Sequence, residues 1–188
     1  MAFLIFIAFP RLTNAQATYK IAPGKDVNIK VKGSSNVHDW NMVSPTMIST
    51  GDFKFDSNSK LNSLSAFSFS LETKSLKSQH GAMNTRTYKA LKADKFPKII
   101  YKLQSAVITR IQKNKYLVKS SGDLTIAGAK KNILMDVTVV VNPDNTITCS
   151  GSQKLKFTDY NMSPPSYMAG TMKVENDIAI QFNLTYKK

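Results

Sequence analysis

Along most of the chain, hydrophobic and polar residues alternate one by one, the spacing at which successive side chains of a strand face opposite sides. Val27, Ile29 and Val31 alternate with Asn28, Lys30 and Lys32, and Phe67, Phe69 and Leu71 alternate with Ala66, Ser68 and Ser70. The same period recurs at Ile99/Tyr101/Leu103, Tyr116/Val118, Leu124/Ile126, Ile133 through Val141, Ile147/Cys149/Gly151 and Ile178 through Tyr186. Turn-forming stretches separate several of these runs: Ala22-Pro23-Gly24-Lys25, Asp56-Ser57-Asn58-Ser59, Gln112-Lys113-Asn114-Lys115 and Asn142-Pro143-Asp144-Asn145. In such stretches proline presets one backbone angle and Asn or Asp closes the turn. Short turns join antiparallel neighbours. The pattern predicts one all-β domain, and no Gly-rich or Pro-rich linker or internal repeat divides it.

One stretch breaks the period. Between Gly81 and Asp94, Met83, Ala90 and Leu91 fall on one side of a helical wheel, Lys89 and Lys92 on the other, and Arg86 at the flank. A helix is expected here, stopped by Phe96-Pro97 because the residue before a proline is pushed out of helical geometry. The expected fold is therefore an antiparallel β-barrel of about eight strands with one helix in a long connection, since closing the sheet removes the exposed edges it would otherwise present.

The first residues follow another rule. Ala2 to Pro10 is apolar, and Arg11-Leu12-Thr13-Asn14 leads into Ala15-Gln16-Ala17, small residues spaced as a signal peptidase requires. Residues 1–17 read as an export signal, leaving 18–188 as the barrel domain in a periplasmic or secreted location. The apolar run is well short of the ~20 residues a spanning helix needs.

Composition narrows the chemistry. With 26 Lys+Arg against 12 Asp+Glu the 188-residue chain carries +14, a bias toward anionic partners such as lipid headgroups, acidic polymers or nucleic acid. Export, and the lack of aromatics interleaved with basic residues, argue against nucleic acid. Eight basic residues and one acid, Asp94, lie between Lys74 and Lys102, which suits transient contact with an anionic membrane surface. One cysteine and two histidines make neither an internal disulfide nor a Cys/His zinc site, so no metal or cofactor is expected. Cys149 shares a face with Ile147 and reads as a small buried hydrophobe. His38 adjoins Asp39 and His80 sits in a Ser/Gln/Gly loop, yet no nucleophile elbow or carboxylate pair accompanies them. A binding protein without catalysis is expected, with a non-lipid binder of acidic polymers or membrane surfaces through the basic face and, less so, a hydrolase as alternatives.

Four stretches carry a resemblance. Gly33-Ser34-Ser35-Asn36-Val37-His38-Asp39-Trp40 resembles the "Ser-x-x-His-Asp-Trp" opening of the YceI-like family. Met83 through Pro97 is similar to that family's helix and closing aromatic-Pro, Gly122-Asp123-Leu124-Thr125-Ile126-Ala127-Gly128 to its "Gly-x-Leu-Thr-Ile-x-Gly" hairpin, and Phe157-Thr158-Asp159-Tyr160 with Pro164-Pro165 to its late "Thr-Asp-Tyr" segment. The lead into the helix departs from the family, being Lys77-Ser78-Gln79-His80-Gly81 in place of an arginine- and aromatic-rich run. The resemblance implies an exported lipocalin-like barrel with an elongated apolar pocket for a long-chain isoprenoid or other lipid.

Within such a barrel the inward residues decide whether there is a pocket. The candidates for its wall are Phe53, Phe55, Phe67, Phe69, Tyr101, Leu124, Phe157 and Phe182, with Trp40 and Met83; Ala66, Ser68, Ser70, Gly122 and Gly151 would leave room beside them. The alternative is that these rings pack on one another and the barrel is solid. For a head group the donors near the helix are His38, Asn84 and Arg86, arginine being suited to bidentate phosphate contact. The same residues have plainer readings: Arg86, Lys89 and Lys92 as a solvated helix face, and His38-Asp39-Trp40 as a structural corner whose Trp plugs the barrel end. Homodimerisation is left open by the sequence.

Overall fold

The structure, a computed structural model, describes residues 16–24, 27–167 and 170–188. All but the last two residues of the expected export signal fall outside this range. The described residues form eleven strands: β1 Gln16–Ile21, β2 Asn28–Ser35, β3 Trp40–Ser44, β4 Ile48–Phe55, β5 Leu61–Glu72, β6 Lys98–Gln112, β7 Lys115–Ile126, β8 Ala129–Val141, β9 Ile147–Lys156, β10 Ser166–Tyr167 and β11 Met172–Lys187. One helix, α1 (Gly81–Ala90), lies between β5 and β6. No described helix is long and apolar enough to cross a membrane.

Eight strands close into a ring in the order β1, β4, β5, β6, β7, β8, β9, β11, with β11 pairing back onto β1. Every pairing is antiparallel, so the expected barrel is present. The alternation that predicts the strands also sorts their faces. In β7 the inward residues Tyr116, Val118, Ser120, Gly122, Leu124 and Ile126 are buried, while the residues between them are partly or fully exposed. The β7–β8 hairpin turns on Ala127 and Gly128, both with positive φ (50° and 81°), the two-residue turn whose twist suits the strands. A side chain at Gly128 would also strike the Phe96 ring.

The ring is uneven. The closure between β1 and β11 rests on two pairs, Lys20↔Lys187 and Ile21↔Tyr186; along the rest of that flank β11 pairs β2, which pairs β3. The free side of β3 is tied to the segment before the helix by one bridge, Val43 and Lys77 exchanging backbone hydrogen bonds of 2.8 and 2.9 Å. A second irregularity lies between β5 and β6, which pair only from Ser68↔Lys102 to Glu72↔Lys98. Beyond a bulge at Leu103/Ser105, β6 follows β7 alone. The Tyr116 hydroxyl spans the resulting gap by accepting a hydrogen bond from the Leu61 amide at 3.1 Å.

The helix is shorter than the sequence predicts, ending at Ala90 and not at Asp94. Lys92 adopts a left-handed conformation (φ 51°), its amide bonds the carbonyl of Lys89, and that of Ala93 bonds the carbonyl of Tyr88. This crossed pair is a helix stop of the Schellman kind, so the chain leaves the helix several residues before Pro97. Leu91 and Ala93 are then buried beneath the turn.

Candidate functional site: a two-chambered cavity

The barrel is hollow. A deep chamber of about 120 Å³ is walled by the inward faces of eight strands, including Phe53, Phe67, Phe69, Tyr101, Leu124 and Phe182. A second chamber of about 260 Å³, the mouth, lies at the helix end. It is bounded by Trp40 and Met42 of β3, Met83 and Arg86 of α1, Phe157 and Tyr160 of the single helical turn after β9, and Ile178 of β11. Val31, Leu76, Ile99 and Ile180 wall both chambers, so the two meet at an apolar neck.

Glycines keep the lumen open against its own rings. A Cβ on Gly122 would lie 2.4 Å from the Tyr101 hydroxyl, one on Gly151 2.6 Å from Phe182, one on Gly51 2.6 Å from Phe53 and 3.1 Å from Phe67, and one on Gly33 2.2 Å from Trp40. Each of these rings lies over a bare backbone on its own or the adjacent strand instead of extending fully into the lumen. The rings also touch one another: Tyr19, Phe53, Tyr186, Phe67 and Tyr101 make successive contacts at centroid separations of 5.5 to 6.2 Å.

The few polar groups in and behind the deep chamber's wall have partners: Gln153, in the lining, donates to the Lys154 carbonyl at 3.2 Å, and Ser49 and Tyr186 lie outside the lining. Ser49 donates to the Ser68 carbonyl at 2.8 Å and so accepts from the Tyr186 hydroxyl, also at 2.8 Å. The Tyr101 hydroxyl faces Ser120 at 3.5 Å, and Ser120 donates to the Met135 carbonyl. Cys149, on the wall, is buried and its thiol is pushed up to about 12 by loss of solvation, which keeps it protonated and a poor nucleophile.

The mouth is mixed. Arg86, Lys156, His38 and His80 stand on its exposed rim. Arg86 lies over the Tyr167 ring, 4.4 Å from its centroid, in a cation–π contact. The His38 corner is wired to its own backbone: His38 Nδ1 donates to the Asp39 carbonyl at 2.9 Å, Ser34 donates to the Asp39 carboxylate at 2.7 Å, and Trp40 Nε1 donates to the Ser34 carbonyl at 3.1 Å. Serine thus meets the acid and not the imidazole, the reverse of a catalytic relay. Among the described residues no group of three His, Cys, Asp or Glu could hold a metal.

Phe55 lines neither chamber; it is half-buried against Tyr19, 6.2 Å between centroids. Asn84 also lines neither, and its side-chain oxygen accepts from the Ser78 amide and hydroxyl at 2.7 and 2.9 Å, which fixes the turn into α1. Of the basic residues between Lys74 and Lys102, Lys74 pairs with Asp94 and Lys98 with Glu72, while Lys77 and Lys95 lie over Tyr88 and Phe96. Lys89, Lys92 and Lys102 are left exposed. Sequence reading nominated neither His80 nor Tyr160 for the mouth. Tyr160 lies within the Thr-Asp-Tyr segment, but nothing in spacing alone marks it.

A family model described as the YceI-like domain matches residues 16–186. The chain belongs to the YceI-like family. Among solved structures, BcnA of Burkholderia cenocepacia is similar at 22% identity and TM-score 0.63, over 84% of this chain and 95% of its own. A polyisoprenoid binding domain from Saccharophagus degradans, implicated in plant cell wall breakdown, is similar at 13% and 0.66, over 92% and 99%. The YceI protein of Campylobacter jejuni is similar at 20% and 0.55, over 74% and 81%. At these identities the likeness is one of fold, and this YceI-like chain shares the lipocalin-like barrel with them. No curated protein matches the chain.

Proposed function

We propose that this YceI-like protein binds and carries one long-chain isoprenoid lipid, without chemistry of its own, in the periplasm or outside the cell. The observation that supports this most is the continuous apolar hollow: a deep chamber that admits only hydrocarbon at low cost, joined through the neck of Val31, Leu76, Ile99 and Ile180 to a mouth with polar groups. Each buried methylene contributes roughly 0.8 kcal/mol, so a prenyl chain threaded through the neck supplies ample affinity. The polyisoprenoid binding domain named above, alike in fold, adds weight. The exposed Lys89 and Lys92, on and just after the helix that walls the mouth, suit brief docking on an anionic bilayer, at about 1 kcal/mol per well-placed charge.

Native mass spectrometry of protein purified from the envelope fraction without detergent, before and after organic extraction, tests this reading. A discrete extractable mass of lipid size is expected. Protein that is empty and remains empty when offered geranylgeraniol and prenyl pyrophosphates would sink it.

A further inference from the structure

Buried polar side chains in this barrel have partners almost without exception. Tyr186 bonds Ser49, Tyr101 faces Ser120, Tyr116 accepts from the Leu61 amide, and Thr73 donates to the Phe96 carbonyl. Among the described residues the one buried side-chain oxygen or nitrogen with no partner is the hydroxyl of Tyr160. Tyr160 is 2% exposed and belongs to the wall of the mouth. A buried donor left unmatched is costly, and native structures rarely keep one without a reason.

The residue is firmly held. It ends the helical turn Phe157–Tyr160, which is closed by Asn161 in a left-handed conformation (φ 53°) and by Met162 donating to the Phe157 carbonyl. That turn is pinned to β11, Thr158 donating its amide to the Asn176 side chain and accepting from it in return. Rotation of the turn toward solvent would break these bonds, so the hydroxyl has no easy route to water.

We propose that Tyr160 is the residue that reads the head of the ligand, donating a hydrogen bond to an uncharged oxygen, alcohol or carbonyl, at the end of the prenyl chain. This rests on the lipid-binding reading above and adds the chemistry of the head. An uncharged acceptor is favoured because Tyr160 offers a single neutral donor in a buried place, its phenol pushed up to about 12 by burial and by Asp159. A phosphate would need several charge-assisted donors, and the cations nearest the mouth, Arg86 and Lys156, stand on its exposed rim.

The test compares three probes of one chain length: geranylgeraniol, the hydrocarbon lacking its hydroxyl, and geranylgeranyl pyrophosphate. Binding is followed by the fluorescence of Trp40, the single tryptophan, which lines the mouth. The wild-type protein is expected to bind the alcohol about tenfold more tightly than the hydrocarbon, the worth of one hydrogen bond to a buried donor. In Tyr160→Phe that preference should vanish while hydrocarbon affinity holds and the empty protein melts no lower than wild type. Retention of the preference in Tyr160→Phe, as a trapped water on the hydroxyl would produce, overturns the proposal, as does a pyrophosphate affinity that exceeds that of the alcohol. Binding of the hydrocarbon with no preference in the wild type overturns the head-group assignment and leaves the lipid reading standing; binding of none of the three removes both.

Discussion

The deep chamber and the mouth are built by different means. The deep chamber is made almost wholly of inward strand residues, each fixed by pairing with at least one neighbouring strand, and its lining is mostly hydrocarbon. The mouth gathers a corner, a helix, a helical turn and the ends of strands, and nearly all of the chemical variety of the lumen lies there. Strand pairing sets a shape to a fraction of an ångström but offers one side chain in two; loops offer any group at the cost of needing their own wiring, seen at Ser34–Asp39, Ser78–Asn84 and Thr158–Asn176. Shape and recognition are thus assigned to different parts of the barrel.

The sharpest way to break this division is to block the neck. Ile180→Trp should weaken geranylgeraniol by roughly a hundredfold or more, because each methylene kept out of the deep chamber forfeits about 0.8 kcal/mol. The shorter geraniol, held in the mouth, should bind as before. Equal affinity for both probes in the variant and the wild type would show that the chambers do not act as one site. Titration by tryptophan fluorescence reads both.

A smaller effect is expected from adding one methyl group inside the deep chamber. In Gly151→Ala the new Cβ would sit 2.6 Å from Phe182 and 3.1 Å from the Asp136 carbonyl, so the ring must swing toward the lumen. Overpacking of this kind costs about 1–3 kcal/mol, and a domain of this size loses roughly 2–4 °C of melting temperature per kcal/mol. Long-chain binding should fall about tenfold as the lumen narrows. An unchanged affinity and melting curve would mean that the glycine is not holding the space.

The mildest prediction concerns pH. Burial raises the Cys149 thiol from an ordinary 9.0 to about 12 in the folded chain. The unfolded chain therefore loses this proton first, so the stability it confers is complete below about pH 9 and declines as pH rises from there toward 12. The unfolding free energy read from urea titrations should fall between about pH 9 and about 10.5, by at most ~1.4 kcal/mol per pH unit above the unfolded value. Cys149→Ala should drop less steeply over the same range. An identical slope in the variant would assign the loss to tyrosines instead.

Much of the barrel was legible in the alternation, and the gaps share one cause. The runs Tyr116/Val118 and Leu124/Ile126 belong to a single strand whose inward residues between them, Ser120 and Gly122, are small. Strand β4 gave little signal for the same reason: its inward residues include Ser49, bonded to Tyr186, and Gly51, beneath Phe53 and Phe67. Space for rings is bought with residues that erase the hydrophobic period. The short β1, β3 and β10 offered too few inward positions to establish one. At the site, most wall candidates followed from facing the lumen, whereas Phe55 and Asn84 did not reach it. Tyr160 depends on which atoms surround its hydroxyl, and linear spacing does not carry that information.

The strand that closes the ring is the last of the described strands. Strand β11 pairs with β9 on one side and with both β2 and β1 on the other, so a growing chain that lacks it has neither end of the barrel joined. A fragment that stops short of β11 can pair β1 with β4 and run the sheet on to β9, but it has no closed lumen until β11 joins the two ends. Late closure of this sort delays the trapping of any hydrophobic guest until β11 has taken its place between β9 and the first strands.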